Sequence, residues 1–226
     1  MKLSNDTLTV LKNFASINQG IFFKKGKTLR TVSNQKNVMA EATITEEIPT
    51  DFGVFDLNNF LTVLSLHKDD TNLDFQDNNV LISGMKGRSK IKYRFCAPSM
   101  ITIPPEKQLA VPDPEISFEL SAEDFDWIMR AANVLSTPHI IVESDGGEIF
   151  VSTLDLADDS KHTDSLQITK GNGDKYRMIF KTENFKMLSG GYEVKISSKG
   201  ISHFKHKTSN IQYWVATEAG SKFEKA

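Results

Sequence analysis

The chain has 226 residues, 27 of them basic and 29 acidic, for a formal charge of −2. That length suits one large domain or two of ordinary size, and no block of like charge suggests a disordered tail. No apolar run is long enough to span a bilayer, the opening MKLSNDTLTV lacks the apolar core of a signal peptide, and Cys96 stands alone, which argues against a disulfide framework or a cysteine-based metal site. The plain reading is a soluble intracellular protein.

Ser4 is placed to cap a helix that runs to about Ile17. Leu8, Leu11, Phe14 and Ala15 recur at helical spacing and form its buried face, while Asn5, Thr9, Lys12, Ser16 and Gln19 form the opposite stripe. A second helix turns Leu57, Phe60, Leu61 and Leu64 inward and Asn58, Thr62 and Ser65 outward. Asp77-Asn78 is a turn signal, and the alternation after it predicts a strand over Asn79–Ser83. Lys86, Arg88, Lys90, Lys92 and Arg94 then alternate with Ile91, Tyr93 and Phe95, so a strand here has one basic face. Taken alone, that face reads as a charged edge that resists aggregation, as a nucleic-acid stripe, or as one side of a charged subunit joint.

Five of the seven prolines, Pro98, Pro104, Pro105, Pro112 and Pro114, follow within a short stretch. Proline removes backbone donors and favours extended chain, so residues 98–114 read as a connector between domains 1–97 and 115–226. Beyond it, Ser121 caps a third helix with Asp124 three residues on, close to a capping box. Phe125, Ile128, Met129 and Ala132 are its apolar face, with Arg130 and Asn133 off it. His139–Glu143, Glu148–Val151 and Ile211–Val215 are rich in β-branched and aromatic residues and predict strands, punctuated by turns at Asp145-Gly146-Gly147 and Lys199-Gly200. A fourth helix is expected around Phe185, cut short after one or two turns by Gly190-Gly191.

One spacing runs through these elements. Leu3/Leu8/Leu11, Phe55/Phe60/Val63, Leu120/Phe125/Ile128 and Phe180/Phe185/Leu188 repeat the same apolar intervals, with cap-like polar residues in each first gap and strand-forming sequence after each copy. A repeated unit of one short helix and a few strands follows. Two copies lie on each side of the connector. The expected fold is α+β: two similar domains, each with two copies of a helix-plus-antiparallel-sheet unit, helices on one face of the sheets.

The search for catalytic chemistry yields little. His203 and His206 sit at an odd interval in strand-like sequence, which points their rings to opposite faces, as surface histidines rather than a zinc pair. Asp155, Asp158 and Asp159 read as a polar loop rather than a cation site or the centre of a phosphodiester enzyme. Cys96 follows an apolar strand and reads as an inert core thiol. Neither a phosphate loop nor a dinucleotide fingerprint occurs, and no cofactor or metal is expected. Charge is uneven: residues 1–110 carry 14 basic and 11 acidic side chains, residues 111–226 carry 13 and 18, so the halves are weakly complementary.

In the order and spacing of these weak signals, the whole chain resembles the DNA polymerase sliding clamps of large contractile-tailed bacteriophages. MKLSNDTLTVLKNFASINQGI looks like that family's opening helix, FDLNNFLTVLSLHKDD like its second helix and acidic turn, SAEDFDWIMR like its third, and ENFKMLSGGYEVKI like its fourth. The resemblance implies a non-enzymatic processivity factor: three subunits closed head to tail into a ring that encircles duplex DNA without sequence preference and tethers the replicative polymerase. It implies an ATP-driven loader, work in the cytoplasm of the infected bacterial host, and no membrane. Lys12, Ser16, Lys68, Arg130, Asn133 and Lys186 are the implied DNA-facing positions, with Asn133 standing where relatives can carry a basic residue. Lys86, Arg88, Lys90 and Lys92 would meet Asp155 and Asp158 at the subunit joint. Ile101, Ile103, Leu109 and Val111 would border a pocket for peptide tails of the polymerase and of other replication or late-transcription proteins; equally, they are packing residues of the connector. The competing reading is a viral structural or assembly protein of duplicated β-rich domains.

Overall fold

A computed structural model describes residues 1–67, 70–107 and 109–226. The chain divides into two compact units, Met1–Lys107 and Gln108–Ala226.

In the first unit, α1 (Asn5–Ile17) starts where Ser4 accepts a hydrogen bond from the Thr7 amide at 3.2 Å. Leu11, Phe14 and Ile17 are buried, and every residue expected on the polar stripe is exposed. Strand β1 (Ile21–Phe23) leads to β2 (Gly26–Val32), β3 (Val38–Ile48) and β4 (Phe52–Val54). β1 pairs with β4, and β2 pairs with β3 through a bulge near Gly26. Helix α2 (Leu57–Ser65) is capped by Asp56, which accepts from the Asn59 amide at 2.8 Å, and it buries Leu57, Phe60 and Leu64. It packs beside α1, which also lies on β3. Strands β5 (Asn72–Phe75), β6 (Asn79–Gly84) and β7 (Ser89–Arg94) form an antiparallel sheet in that order. Phe60 is closed in by Phe23 and Tyr93, at ring separations of 6.5 and 5.0 Å.

The second unit opens with β8 (Ile116–Leu120) and α3 (Ala122–Val134), whose first turn is capped by Ser121 to the Asp124 amide at 3.0 Å. Strands β9 (His139–Asp145), β10 (Glu148–Leu154), β11 (Asp164–Lys170), β12 (Lys175–Lys181) and the terminal β16 (Lys222–Glu224) make one sheet in the order β11-β10-β9-β12-β16. Strands β13 (Tyr192–Ser197), β14 (Ile201–His206) and β15 (Ile211–Ala216) pair in turn, with β8 on the far side of β13. All of these pairings are antiparallel, and α3 lies against β10 and β11. The architecture is the expected α+β one.

Three local expectations change. The fourth copy forms a single 3-10 turn, Thr182–Asn184, rather than an α-helix. Tertiary hydrogen bonds replace helical ones there: the Leu188 amide donates to the Tyr213 hydroxyl at 3.1 Å, and the Tyr192 hydroxyl donates to the Leu188 carbonyl. Phe55, the first apolar residue of the second copy, is 46 % exposed, because the chain turns at Asp56 to begin α2. The histidine rings do sit on opposite faces, yet neither is a surface group. His206 is buried, accepts from the Thr208 and Ser209 amides, and bonds the Ser189 carbonyl at 3.2 Å; His203 is half-buried.

Candidate nucleic-acid interface

The exposed faces of α1 and α2 carry one kind of surface. On α1 it is Asn5, Thr9, Lys12 and Ser16; on α2 it is Asn58, Thr62 and Ser65. The hydroxyls turn back onto their own helices. Thr9 donates to the Asn5 carbonyl at 2.9 Å, Ser16 to Asn13 at 2.6 Å, Thr62 to Asn58 at 2.9 Å and Ser65 to Thr62 at 2.7 Å. Their protons are already committed to the backbone, so this surface offers acceptor lone pairs and amides, with Lys12 as its cation. Lys12, Leu8, Leu61 and Ser65 line a groove of about 480 Å³ between α1 and α2. Lys68 lies outside the described residues.

In the second unit the outer face of α3 presents Glu123, Trp127, Arg130, Asn133 and Val134, with Asp126 half-buried beside them. Its acidic groups offset Arg130, so this face is less cationic than the Arg130 position alone suggests. The shortened fourth copy leaves a groove of about 780 Å³ along α3, bordered by Arg130, Asn133, Met129 and Thr182. Lys186 is exposed on the irregular segment after the 3-10 turn. Ser189 anchors that segment to α3 by donating to Asp126 Oδ1 at 2.6 Å.

Strand β7 borders its sheet, and Lys90, Lys92 and Arg94 are exposed on it while Ile91 and Tyr93 are half-buried. Lys86 and Arg88 sit in the hairpin before it, where Lys86 adopts φ 56° and its amide donates to Asp70 at 2.7 Å. Asp155 and Asp158 occupy the loop after β10. Asp155 is paired with Lys161 at 2.7 Å, and the hydrogen bond from that ammonium holds its carboxyl below the usual range. Asp158 accepts from the amide and hydroxyl of Ser160, which lowers its pKa in the same way. The loop is acidic, yet Asp155 is already paired within it.

The connector residues have separate settings. Ile101 packs onto Gly53, where a Cβ would lie 2.7 Å from the Cys96 carbonyl oxygen and 3.1 Å from Ile101 Cδ1, so the approach of the Cys96 backbone requires glycine. Asn18 pins the next residue by donating to the Thr102 carbonyl at 3.1 Å. Ile103 lines a groove of about 290 Å³ with Phe22, Pro104 and the lysines Lys24, Lys25 and Lys27. Leu109 and Val111 line another, of about 500 Å³, with Pro114, His203, Gln212 and Trp214. His203 stacks on Trp214 at 5.0 Å, shares a 2.9 Å hydrogen bond with Gln212, and is pushed to a lower pKa by burial. Sequence reasoning missed Trp127 and this His203–Trp214 pair. The spacing of Trp127 to Arg130, three residues on one helix, was the available signal for the former.

Antiparallel sheets backed by helices, repeated in two units, with polar and sparsely cationic helix faces, define the DNA-clamp class. Residues 4–103 match the family described as DNA polymerase processivity factor, and residues 117–219 match the one described as gp45 sliding clamp, C terminal. The sliding clamp of Vibrio phage KVP40 is 34 % identical over 225 residues, covering 97 % of this chain and all of that protein. The sliding clamp of Escherichia phage RB69 is 33 % identical over 227 residues, 98 % of each chain. Among solved structures, A. fulgidus PCNA, bound to the C-terminal region of FEN-1, superposes with a TM-score of 0.70 at 16 % identity over 97 % of this chain and 98 % of that one. The chain belongs to the phage sliding-clamp family of DNA polymerase processivity factors.

Proposed function

We propose that copies of this chain close head to tail around duplex DNA as a homotrimer, with the exposed stripes of α1, α2 and α3 turned toward the duplex. The observation that carries this is the composition of those stripes, amides and internally bonded hydroxyls on α1 and α2 and Arg130 and Asn133 on α3, with cations few and spaced apart at Lys12, Arg130 and, beyond the helices, Lys186. Phosphate contacts are independent of sequence, and few of them give weak, salt-sensitive attraction. Such a surface permits sliding, and retention then comes from topology. Ser16 and Asn133 supply neutral contacts, and Lys68 is carried over from the family resemblance.

Head-to-tail contacts that close under rotation make rings. We assign the joint to the open edge of β7, whose Lys90 and Lys92, with Lys86 and Arg88 nearby, face the acidic Asp155–Asp158 loop of the next copy. Strand β11 is an edge of its own sheet, and its half-buried Leu166 and Ile168 match Ile91 and Tyr93 of β7 as rows that a joint would cover. Peptide tails of the polymerase and of other replication or late-transcription proteins are assigned to the grooves at the connector, the Leu109–Val111 groove beside Trp214 carrying fewer charged side chains; Ile103 borders the other, and Ile101 serves packing. The contribution to synthesis is topological rather than catalytic and needs no cofactor. A closed ring must be opened, a task for a separate ATP-driven loader in the cytoplasm of the infected host. No helix among the described residues is long and apolar enough to cross a membrane.

Two measurements test this together. Native mass should give a trimer, and the chain should raise polymerase processivity on circular primed DNA when a loader is present. A stable monomer without effect in that assay favours the structural-protein reading instead.

A further inference from the structure

Trp127 is 49 % exposed on the outer face of α3, whereas the other tryptophan, Trp214, is buried. Two contacts hold its ring. The indole N–H donates to Asp164 Oδ2, at the start of β11, at 3.1 Å, and the Arg130 guanidinium lies over the ring at 5.9 Å from its centroid. Arg130 is steadied further by its Nε, which donates to the Asp126 carbonyl at 3.3 Å. An exposed arginine ordinarily samples many rotamers, and fixing it has an entropic cost. A cation over an aromatic face removes part of that cost in advance. The anchor of the ring is itself a carboxylate, so the same arrangement places a negative charge close to the cation and opposes a phosphate.

We propose that Trp127 is a positioning residue that presents Arg130 to the DNA backbone, and that Asp164 both orients the indole and moderates the attraction. The inference rests on the reading of α3 as a DNA-facing surface. Together the three residues set how strongly this stretch of the lining holds phosphate: Trp127 raises it and Asp164 lowers it.

The test is equilibrium binding of the full-length protein to a short linear duplex, followed by anisotropy across a salt series. Arg130→Ala should weaken binding and flatten the log affinity against log salt slope by about 1. Trp127→Leu should weaken binding by about two- to fivefold, and Trp127→Phe should keep most of the affinity, because the aromatic face is retained. In the Arg130→Ala background, Trp127→Leu should have no further effect, since the two act as one unit. Asp164→Asn keeps an acceptor for the indole while removing the charge, so it should tighten binding and steepen the salt slope. If Arg130→Ala weakens binding but Trp127→Leu does not, or costs as much without Arg130 as with it, the positioning role is overturned while α3 stands as a DNA surface. If Arg130→Ala has no effect, the DNA-facing reading of α3 fails and takes this inference with it. Circular dichroism checks that Trp127→Leu folds; should it not, Asp164→Asn decides, and unchanged binding in that variant overturns the proposal.

Discussion

Thr7 donates its hydroxyl proton to Glu46 Oε2 across 2.6 Å, so a carboxylate from β3 closes the N-terminus of the helix that carries Lys12. The same carboxylate accepts from the Ser4 amide and from the Thr45 hydroxyl. Ser4 caps the helix locally, and Glu46 ties that cap to the sheet. The negative charge also lies at the positive end of the helix dipole.

A pH dependence follows. Burial alone raises the pKa of Glu46, but the hydrogen bonds from Thr7, Ser4 and Thr45 outweigh it and bring the group from 4.5 to about 2. A depressed carboxylate stabilises the fold above its unfolded pKa, and that contribution is lost as pH falls from 4.5 toward 2. The group is half-buried and solvent still screens it, so the expected cost of Glu46→Gln at neutral pH is discounted to about 1–2 kcal/mol. Urea titrations of both proteins should show this gap at pH near neutrality and show it closing in acid, where the wild-type side chain is also uncharged. A gap that persists in acid means that shape rather than charge supports the helix.

Gly190 predicts a second effect. Its φ is +150°, and a Cβ there would lie 2.1 Å from His206 Nε2. His206 cannot swing aside without losing the Ser189 carbonyl and the two amides on its other nitrogen. Gly190→Ala should therefore destabilise the second unit by more than about 2 kcal/mol, in the range of overpacked cores. Combined with His206→Ala, the clash is relieved, so the double variant should be more stable than the sum of the two single changes predicts. Additive losses in thermal denaturation would show that backbone strain, not the imidazole, sets the cost.

What could be read from the chain divides by the range of the forces involved. The bounds and polar stripe of α1 were legible because Ser4 and the apolar period through Phe14 act within a few turns, although Leu8 and Ala15 of the expected buried face are half-buried and Thr7 and Ile17 are buried. The fourth copy carried the same apolar interval, Phe180 to Phe185, yet its backbone is claimed by Tyr192 and Tyr213, which reach it from β13 and β15. No local pattern reports such a claim. The polar helix stripes were visible because exposure is the complement of the apolar period. The buried state of His206 and the separate settings of Ile103 and Leu109 depend on contacts distant in sequence or on how the connector is tied down, whereas the pairing of Asp155 with Lys161 is local, within one loop, but follows no regular period.

The basic strand offers a direct test of assembly. Lys90 and Lys92 are exposed on an open edge, and reversal to Glu changes charge without touching the half-buried Ile91 and Tyr93. Lys90→Glu with Lys92→Glu should shift sedimentation from trimer toward monomer. The wild-type assembly should also loosen as salt rises, because exposed charge pairs are screened beyond about 10 Å at 0.1 M salt. If the paired reversal leaves the sedimentation profile unchanged, β7 does not lie at the joint.

His203 gives the last prediction, since it couples pH to the groove that holds Leu109 and Val111. Burial lowers its pKa below the ordinary 6.5, so the folded protein favours the neutral ring while the unfolded chain takes up a proton first on acidification. The stability of the second unit should therefore be at its full value above pH 6.5 and decline as pH falls through the interval between that value and the lower folded pKa. His203→Gln retains a hydrogen-bonding partner for Gln212 and removes the titration, so its thermal midpoint should show a weaker slope over the same interval. Because His203 stacks on Trp214 at the floor of the groove, a hydrophobic peptide that occupies the groove should further favour the neutral ring and steepen the loss of binding in acid. Calorimetric titration with a short apolar peptide at pH values on either side of 6.5 checks this. Equal affinities at both, in wild type and in His203→Gln, would place the peptide elsewhere, and the cationic Ile103 groove becomes the next surface to probe.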